Sequence, residues 1–436
     1  MPLVQSRELP FKGLIQEVDE NNGGDWLREL NKRALQRYEN VGWPGAKTES
    51  WKYTNLNNLA SAPFSLATDY AASVPEDMVL PIDCPRLVII NGMLNEDLSD
   101  IDALAGGVSM NRLADIKEHQ KSLFDDVIEE SGSTDGLPLA NLNTAMFSDA
   151  VFLEITEGSI IKAPLHIISV GFGVDVSFAP RVFISVGKGS EINILESHVG
   201  CLGSSYFSNS VTQLNLQSNS RVGHYKLQNE TNKSYHIGLT KAVISDNAIY
   251  DNFTLNLGGL LSRNEIRTLL AGSNIDCCLN GAYLGLGNQH IDNTTFIEHL
   301  AEGSRSREVY KGVLAGKARG VFQGKILVHA EAQKTDGYQM NRAMLLSDQA
   351  EIDSKPELEI YADDVRCSHG ATVGELEEDH IFYLCARGID RESARRMLVG
   401  AYVNEVIEEV KDVDVRCAIQ SVAEKWLKLN LYEATK

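Results

Sequence analysis

Apolar residues along this chain gather in short runs through the middle and take helical spacing only toward the two ends. Between about residues 150 and 385 the runs are β-rich, at 151–155, 165–170, 181–186, 191–195, 211–216, 224–227, 248–257, 266–270, 320–328 and 357–361. The last of these, Glu357-Leu358-Glu359-Ile360-Tyr361, reads as a buried β segment. Ahead of this zone, Asp25 is placed to cap a helix over 26–38, with Leu27, Leu30, Ala34 and Tyr38 on one face. Gly42-Trp43-Pro44-Gly45 stops it. Residues 86–90 predict a strand closed by the turn pair Asn91-Gly92, residues 110–130 a second helix, and 130–136 a flexible connector. Beyond 389, Asp390 caps a predicted helix to Val410, with Ala394, Met397, Ala401, Val406 and Val410 near one face. A second predicted helix, 415–431, aligns Ile419, Val422, Trp426 and Leu429. Such faces must be buried, as a cap on the β body or as a groove for another protein. The expected domains are a mixed helical one at 1–150, a β core at 151–388 and a helical one at 389–436.

Small polar corners separate the β runs: Glu157-Gly158-Ser159, Lys188-Gly189-Ser190, Ser218-Asn219-Ser220, Asp246-Asn247, Gly272-Ser273-Asn274 and Glu302-Gly303-Ser304. They recur at steps of roughly 26 to 31 residues. A sandwich shows hairpin signals about every 8–12 residues, and Asn-Gly or Asp-Gly pairs between these strands are few. The expected fold is therefore mainly β, a parallel β-helix core flanked by N-terminal and C-terminal helical segments, whose ends need covering.

Composition narrows the class without naming a function. A hydrophobic share of 43% and a mean hydropathy of -0.17 describe an ordinary folded protein. No run of about 18 apolar residues predicts a membrane span, and the opening residues lack a secretory layout. A cytoplasmic protein is expected. The net charge of -20 argues against nucleic acid and anionic membrane as ligands, since phosphate binding needs a basic surface. The seven cysteines are irregularly spaced with no C-x-x-C pair, so neither a disulfide framework nor a ready-made zinc or iron–sulfur site is expected.

Cys367 and His369 are the leading chemical candidates. In a strand, residues two apart leave the same face, so thiol and imidazole share one space. That pair suits iron, zinc or copper, or a thiol activated by its neighbour. A buried structural pair is the commoner outcome for an isolated C-x-H. Two ligands cannot close a tetrahedral site, so any others come from elsewhere in the fold or from another protein. Asp363, Asp364, Glu375, Glu377, Glu378 and Asp379 flank the pair and would attract cations or simply solvate a turn. Gln333-Lys334-Thr335-Asp336-Gly337 reads first as a structured corner. His198, His224, His236, His290, His299 and His329 lie at no ligand spacing and read as surface or stacked-rung residues. There is no nucleotide-binding P-loop.

Several stretches together resemble the SufB/SufD family. They are Gly312-Val313-Leu314, Phe322-Gln323-Gly324-Lys325-Ile326, Gln333 to Gln339, Leu345-Leu346-Ser347-Asp348, Ala350 to Val365, and Cys367-Ser368-His369-Gly370-Ala371-Thr372-Val373-Gly374. Gly42-Trp43-Pro44 and Glu49-Ser50-Trp51-Lys52-Tyr53-Thr54-Asn55-Leu56 add to the likeness, which leans toward the SufD branch. The resemblance implies a right-handed β-helix and a scaffold, not an enzyme, acting in iron–sulfur cluster assembly. It implies a SufB-like partner at the C-terminal part of the β-helix and a SufC-like ATPase on the C-terminal helices. Cys367 and His369 are implied as shared ligands of a transient cluster, with none held tightly by the isolated chain. It leaves open a homodimer of the chain alone and flavin in the complex, though nothing in the sequence marks a flavin site. Cys385 stands where related chains carry a basic residue, and reads as structural. The rival readings are a carbohydrate-active β-helix enzyme, which needs an acid pair, and a SufB-type paralogue holding the cluster directly.

Overall fold

The computed structural model describes residues 9–21, 25–100, 103, 106–116, 118–121 and 136–430. Its centre is a parallel β-helix of about eight turns. Successive strands alternate between one sheet of eleven strands and another of ten, so that from Arg181–Val186 onward each strand pairs in parallel with the second one after it. Inward-facing aliphatics stack from coil to coil, as Ile192 on Val222 and Ile194 beside them, and fill one continuous interior cluster.

The corners explain why the coils stay in register. Gly158, Gly189, Asn219, Asn247, Asn274, Gly303 and Lys334 all have positive φ. Each donates its backbone N–H to a carbonyl in the next coil's corner (Lys188, Ser218, Asp246, Ser273, Glu302, Gln333 and Asp364 in turn) at 2.6–3.2 Å. Glycine and asparagine take that conformation at least cost. Lys334 is the exception, and its place is set by this ladder.

Apolar expectations fared better than polar ones. Val151–Ile155 and Arg181–Val186 are strands with the expected bounds, and Arg86–Ile90 turns through Asn91 and Gly92, both at positive φ, into Met93–Asn95. Strands Val174–Phe178, Tyr235–Ile244, Asp276–Gly285, His290–His299, Arg305–Leu314, Asp336–Leu345 and Arg366–Glu375 had no sequence signal; in several of them polar residues break the inward face, as Asn293 and Thr295, Ser306 and Glu308, and Gln339 and Asn341 do. The final segment is corrected too: the strand is Glu351–Ile360, Tyr361 lies beyond it, and both Glu357 and Tyr361 are exposed. The helix expected over 110–130 begins instead as a strand, Val108–Arg112, antiparallel to Val151–Ile155. Among the described residues a 3-10 turn, Leu113–Asp115, and the short α-helix Glu118–Lys121 follow it, and 122–135 lie outside them.

At the front, the helix Asp25–Val41 buries Leu30, Ala34 and Tyr38, and packs with Pro138–Met146 over the outer face of the larger sheet. Gly42, at positive φ, closes the helix with its N–H on the Tyr38 carbonyl. Behind, the helix Arg391–Ile407, capped by Asp390 onto the Ser393 N–H at 2.9 Å, and the helix Val413–Asn430 lie along the outer face of the smaller sheet. They cover a side of the β-helix and do not cap its end. Their buried face is Ala394, Val399, Val403, Val406 and Ile407, then Val415, Ala418, Ile419, Ala423 and Leu427. Met397, Ala401 and Leu429, expected on it, are exposed. Lys311 fastens the first of these helices, donating to the Tyr402 carbonyl at 3.0 Å and to Glu405 at 2.6 Å.

Candidate functional site

Glu351–Ile360 and Arg366–Glu375 are the last strands of their two sheets, paired on one edge only among the described strands. The β-helix therefore ends in two open edges and an uncovered lumen. Cys367 and His369 both lie on the second of these strands, two residues apart, and so face one side.

That side is the lumen. Cys367 packs half-buried against the interior cluster with Leu358 and Val365. Its rung partner is Gly337, where a Cβ would stand 3.3 Å from the Cys367 sulfur. Here the Gln333–Gly337 motif acquires a physical role: Lys334 makes the corner, Gln333 Oε1 accepts the Asp364 N–H at 2.9 Å, and Gly337 leaves room for the thiol. Burial pushes the Cys367 thiol above its ordinary range, so a cation binding there must displace a proton. His369, on the same face, is exposed because no coil follows.

Below the two residues run two columns of inward side chains. Beneath Cys367 come Gly337, Ser306 and Cys277; beneath His369 come Gln339, Glu308 and Leu279. Gln339 crosses the lumen to Gly324, where any Cβ would sit 2.1 Å from its amide nitrogen, and donates to Glu308 Oε2 at 2.8 Å. Asn341 accepts from the Tyr283 hydroxyl at 3.0 Å and donates to Ser354 Oγ on the facing strand at 3.1 Å.

Among the described residues, no three His, Cys, Asp or Glu side chains are grouped to hold a metal ion. The acidic residues around the pair are partly engaged otherwise, Glu378 with Arg391 at 2.6 Å and Glu377 with His380 at 3.5 Å. Cys367 and His369 thus form at most a two-ligand half-site. All seven cysteines are free thiols, and Cys385 ends the short helix Glu378–Cys385.

Sequence reasoning missed a second polar cluster, deep in the lumen. Glu196 accepts from Thr212 at 3.0 Å and lies 2.7 Å from His198 Nε2 and 2.9 Å from His224 Nε2. Glu230 lies 2.9 Å from His236 Nδ1, and the His198 and His236 rings meet edge to face at 4.8 Å. Burial opposes ionisation of Glu196, but Lys226 and the two histidines hold its carboxyl well below the ordinary range. Burial likewise drives His198 down to about 4. Gly238 opposite leaves the space that Lys226 Nζ and His236 Nε2 occupy. The only available signal was rung spacing, which requires the coil length to be known.

Two family models match the chain, one described as the SufBD core domain of SUF-system FeS cluster assembly over residues 170–402, the other as the SufBD protein N-terminal region over residues 14–167. The chain is 31% identical over 384 residues to the iron–sulfur cluster assembly protein SufD of Escherichia coli, covering 87% of this chain and 88% of that one. It is 30% identical over 400 residues to an iron–sulfur cluster assembly SufBD family protein of Synechocystis, with 87% of each covered. A chloroplastic protein of Arabidopsis thaliana is 28% identical over 400 residues, covering 89% and 84%.

Proposed function

The chain belongs to the SufBD family, and from that premise we propose that it is a SufD-like scaffold subunit for iron–sulfur cluster assembly, without catalysis of its own. The observation that carries this reading is a soft two-ligand half-site, Cys367 with His369, on the last coil of a β-helix whose final strands are open. A half-site at an open edge suits cargo that must be passed on. A SufB-like subunit adds strands to these edges and completes the coordination of a nascent cluster across the seam. A SufC-like ATPase docks on the C-terminal helices and moves the seam. The distribution of exposed large apolar residues supports both contacts, since eight of the thirteen among the described residues fall within the last quarter of the chain, including Ile360, Tyr361, Val373, Phe382, Met397 and Leu429.

The test is co-expression with SufB-like and SufC-like partners under anaerobic conditions. Cys367→Ala and His369→Ala are expected to leave the complex intact and to lower its iron and acid-labile sulfide at least tenfold. Normal cluster content in both variants refutes the site. Failure of the wild-type chain to co-purify with either partner refutes the scaffold. Reconstitution of the isolated chain distinguishes the SufB-type alternative, which alone retains iron without a partner.

A further inference from the structure

Gln339 and Glu308 occupy the two rungs directly beneath His369, and neither is used by the half-site as described. Both are completely buried. The Gln339 amide nitrogen is committed to Glu308 Oε2 at 2.8 Å, while its Oε1 is buried with no hydrogen-bond partner. With Glu308 ionised, both its oxygens only accept, and the amide must turn its N–H side to Oε2. The free oxygen is therefore an acceptor. Glu308 itself has no cationic partner among the described residues, and its Oε1 is also unpartnered. A buried acid with neither cation nor full hydrogen bonding is costly to keep in a core that aliphatic residues would fill well.

An imidazole that binds a metal through one nitrogen carries its proton on the other, and that N–H needs an acceptor to fix tautomer and ring plane. Adjacent rungs are about 4.8 Å apart, close enough for side chains leaning along the file to hydrogen-bond. We propose that Gln339, held by Glu308, is the positioning residue of His369: its Oε1 accepts the imidazole N–H when His369 takes a divalent cation, orienting the other ring nitrogen toward Cys367. This rests on the half-site reading above. The ligand class is a borderline-soft divalent cation such as ferrous iron. Glu308 acts one step back, polarising the amide and holding its orientation.

Cobalt(II) is the probe, titrated into the complex with the SufB-like partner and followed by the thiolate-to-cobalt absorption band of Cys367. Gln339→Leu is expected to raise the apparent Kd about 10- to 100-fold, the usual effect of losing such an outer partner, while the thiolate band persists at saturation. The double exchange Glu308→Gln with Gln339→Glu keeps volume and charge and again presents an acceptor to His369. It is expected to restore the Kd to within about threefold of the parent, which packing alone would not do. A Gln339→Leu complex that binds cobalt as tightly as the parent overturns the proposal, as does a double exchange no better than Gln339→Leu. Should Gln339→Leu fail to fold, the double exchange with an unchanged Kd supports the proposal and one weakened tenfold overturns it. Failure of the half-site itself reads differently, because Cys367→Ala and His369→Ala would then bind cobalt like the parent.

Discussion

The guanidinium of Arg263 lies 4.0 Å over the ring of Trp51. Around this stack the segment Glu49–Trp51 is strapped along the outer face of the larger sheet. Arg263 pairs with Asp292 at 2.5 Å and Glu265 at 2.9 Å, and both Arg263 and Gln323 donate to the Ser50 carbonyl at 3.0 Å. Thr54 donates to Asp292, and Glu49 reaches Lys355 on the final strand of that sheet. The tryptophan-containing stretch that added to the family likeness is thus a clasp that ties the front of the chain to its far coils.

Trp51→Ala removes the apolar lid of that clasp. It is expected to destabilise the protein by about 3–5 kcal/mol and to open the backbone near residue 50 to protease. Denaturant unfolding and limited proteolysis with mass mapping check it. An unchanged cleavage pattern with unchanged stability would mean that the clasp holds without its ring.

Arg263→Met tests the charges beneath. Asp292 would then be buried with the hydroxyls of Thr54 and Thr294 donating to it and no guanidinium to pair its charge, and a loss of about 3–5 kcal/mol is expected. The same denaturation midpoint measurement reads it. Replacing Arg263 and Asp292 together by apolar residues should recover much of the loss, since a vacated pair leaves no orphan charge.

Glu308 makes stability depend on pH in an unusual direction. Burial raises its carboxyl from the ordinary 4.5 to about 7, with Thr295 and then Gln339 opposing the shift. The folded state therefore keeps a proton that the unfolded chain has lost between these values. The sign follows: stability falls as pH rises from about 4.5 to about 7 and is level above, by about 3 kcal/mol in all. Glu308→Gln should flatten this part of the profile and be more stable than the parent at pH 8. Urea midpoints at pH 5 and pH 8 decide it.

Glu196 works the other way. Its carboxyl is held low in the folded state, so its contribution is present above the ordinary carboxylate range and is lost on acidification. Glu196→Gln leaves Lys226 buried with only Glu230 to answer it, and should cost about 3 kcal/mol at pH 7. The difference should shrink in acid, seen as converging melting curves below pH 4.

Much of the architecture could be read from spacing, and the reasons for the gaps are physical. The glycine and asparagine corners were visible because positive φ restricts residue choice. Strands with aliphatic inner faces were visible as apolar runs. His290–His299 was not, because Asn293 and Thr295 face the lumen while Asp292 and Thr294 sit under the clasp, so alternation carried no hydrophobic contrast. Cys367 and His369 were legible as one face from their two-residue spacing. Gln339 and Glu308 were not, since they reach His369 through rungs 30 and 31 residues apart, a distance fixed only once each coil is laid on the last. The C-terminal helices were found, but Met397 and Leu429 were set on the wrong side, because apolar residues there appear on more than one face.

The terminal coil has a consequence for the company this protein keeps. Amide and carbonyl rows look alike whatever sequence bears them, so they attract a visiting strand without identifying it. Under the proposed edge pairing, discrimination between a twin and a cousin must come from the side chains flanking the rows, such as the Lys325–Glu359 and Lys355–Glu357 pairs. Where that preference is slight, the relative abundance of the two chains sets which assembly prevails.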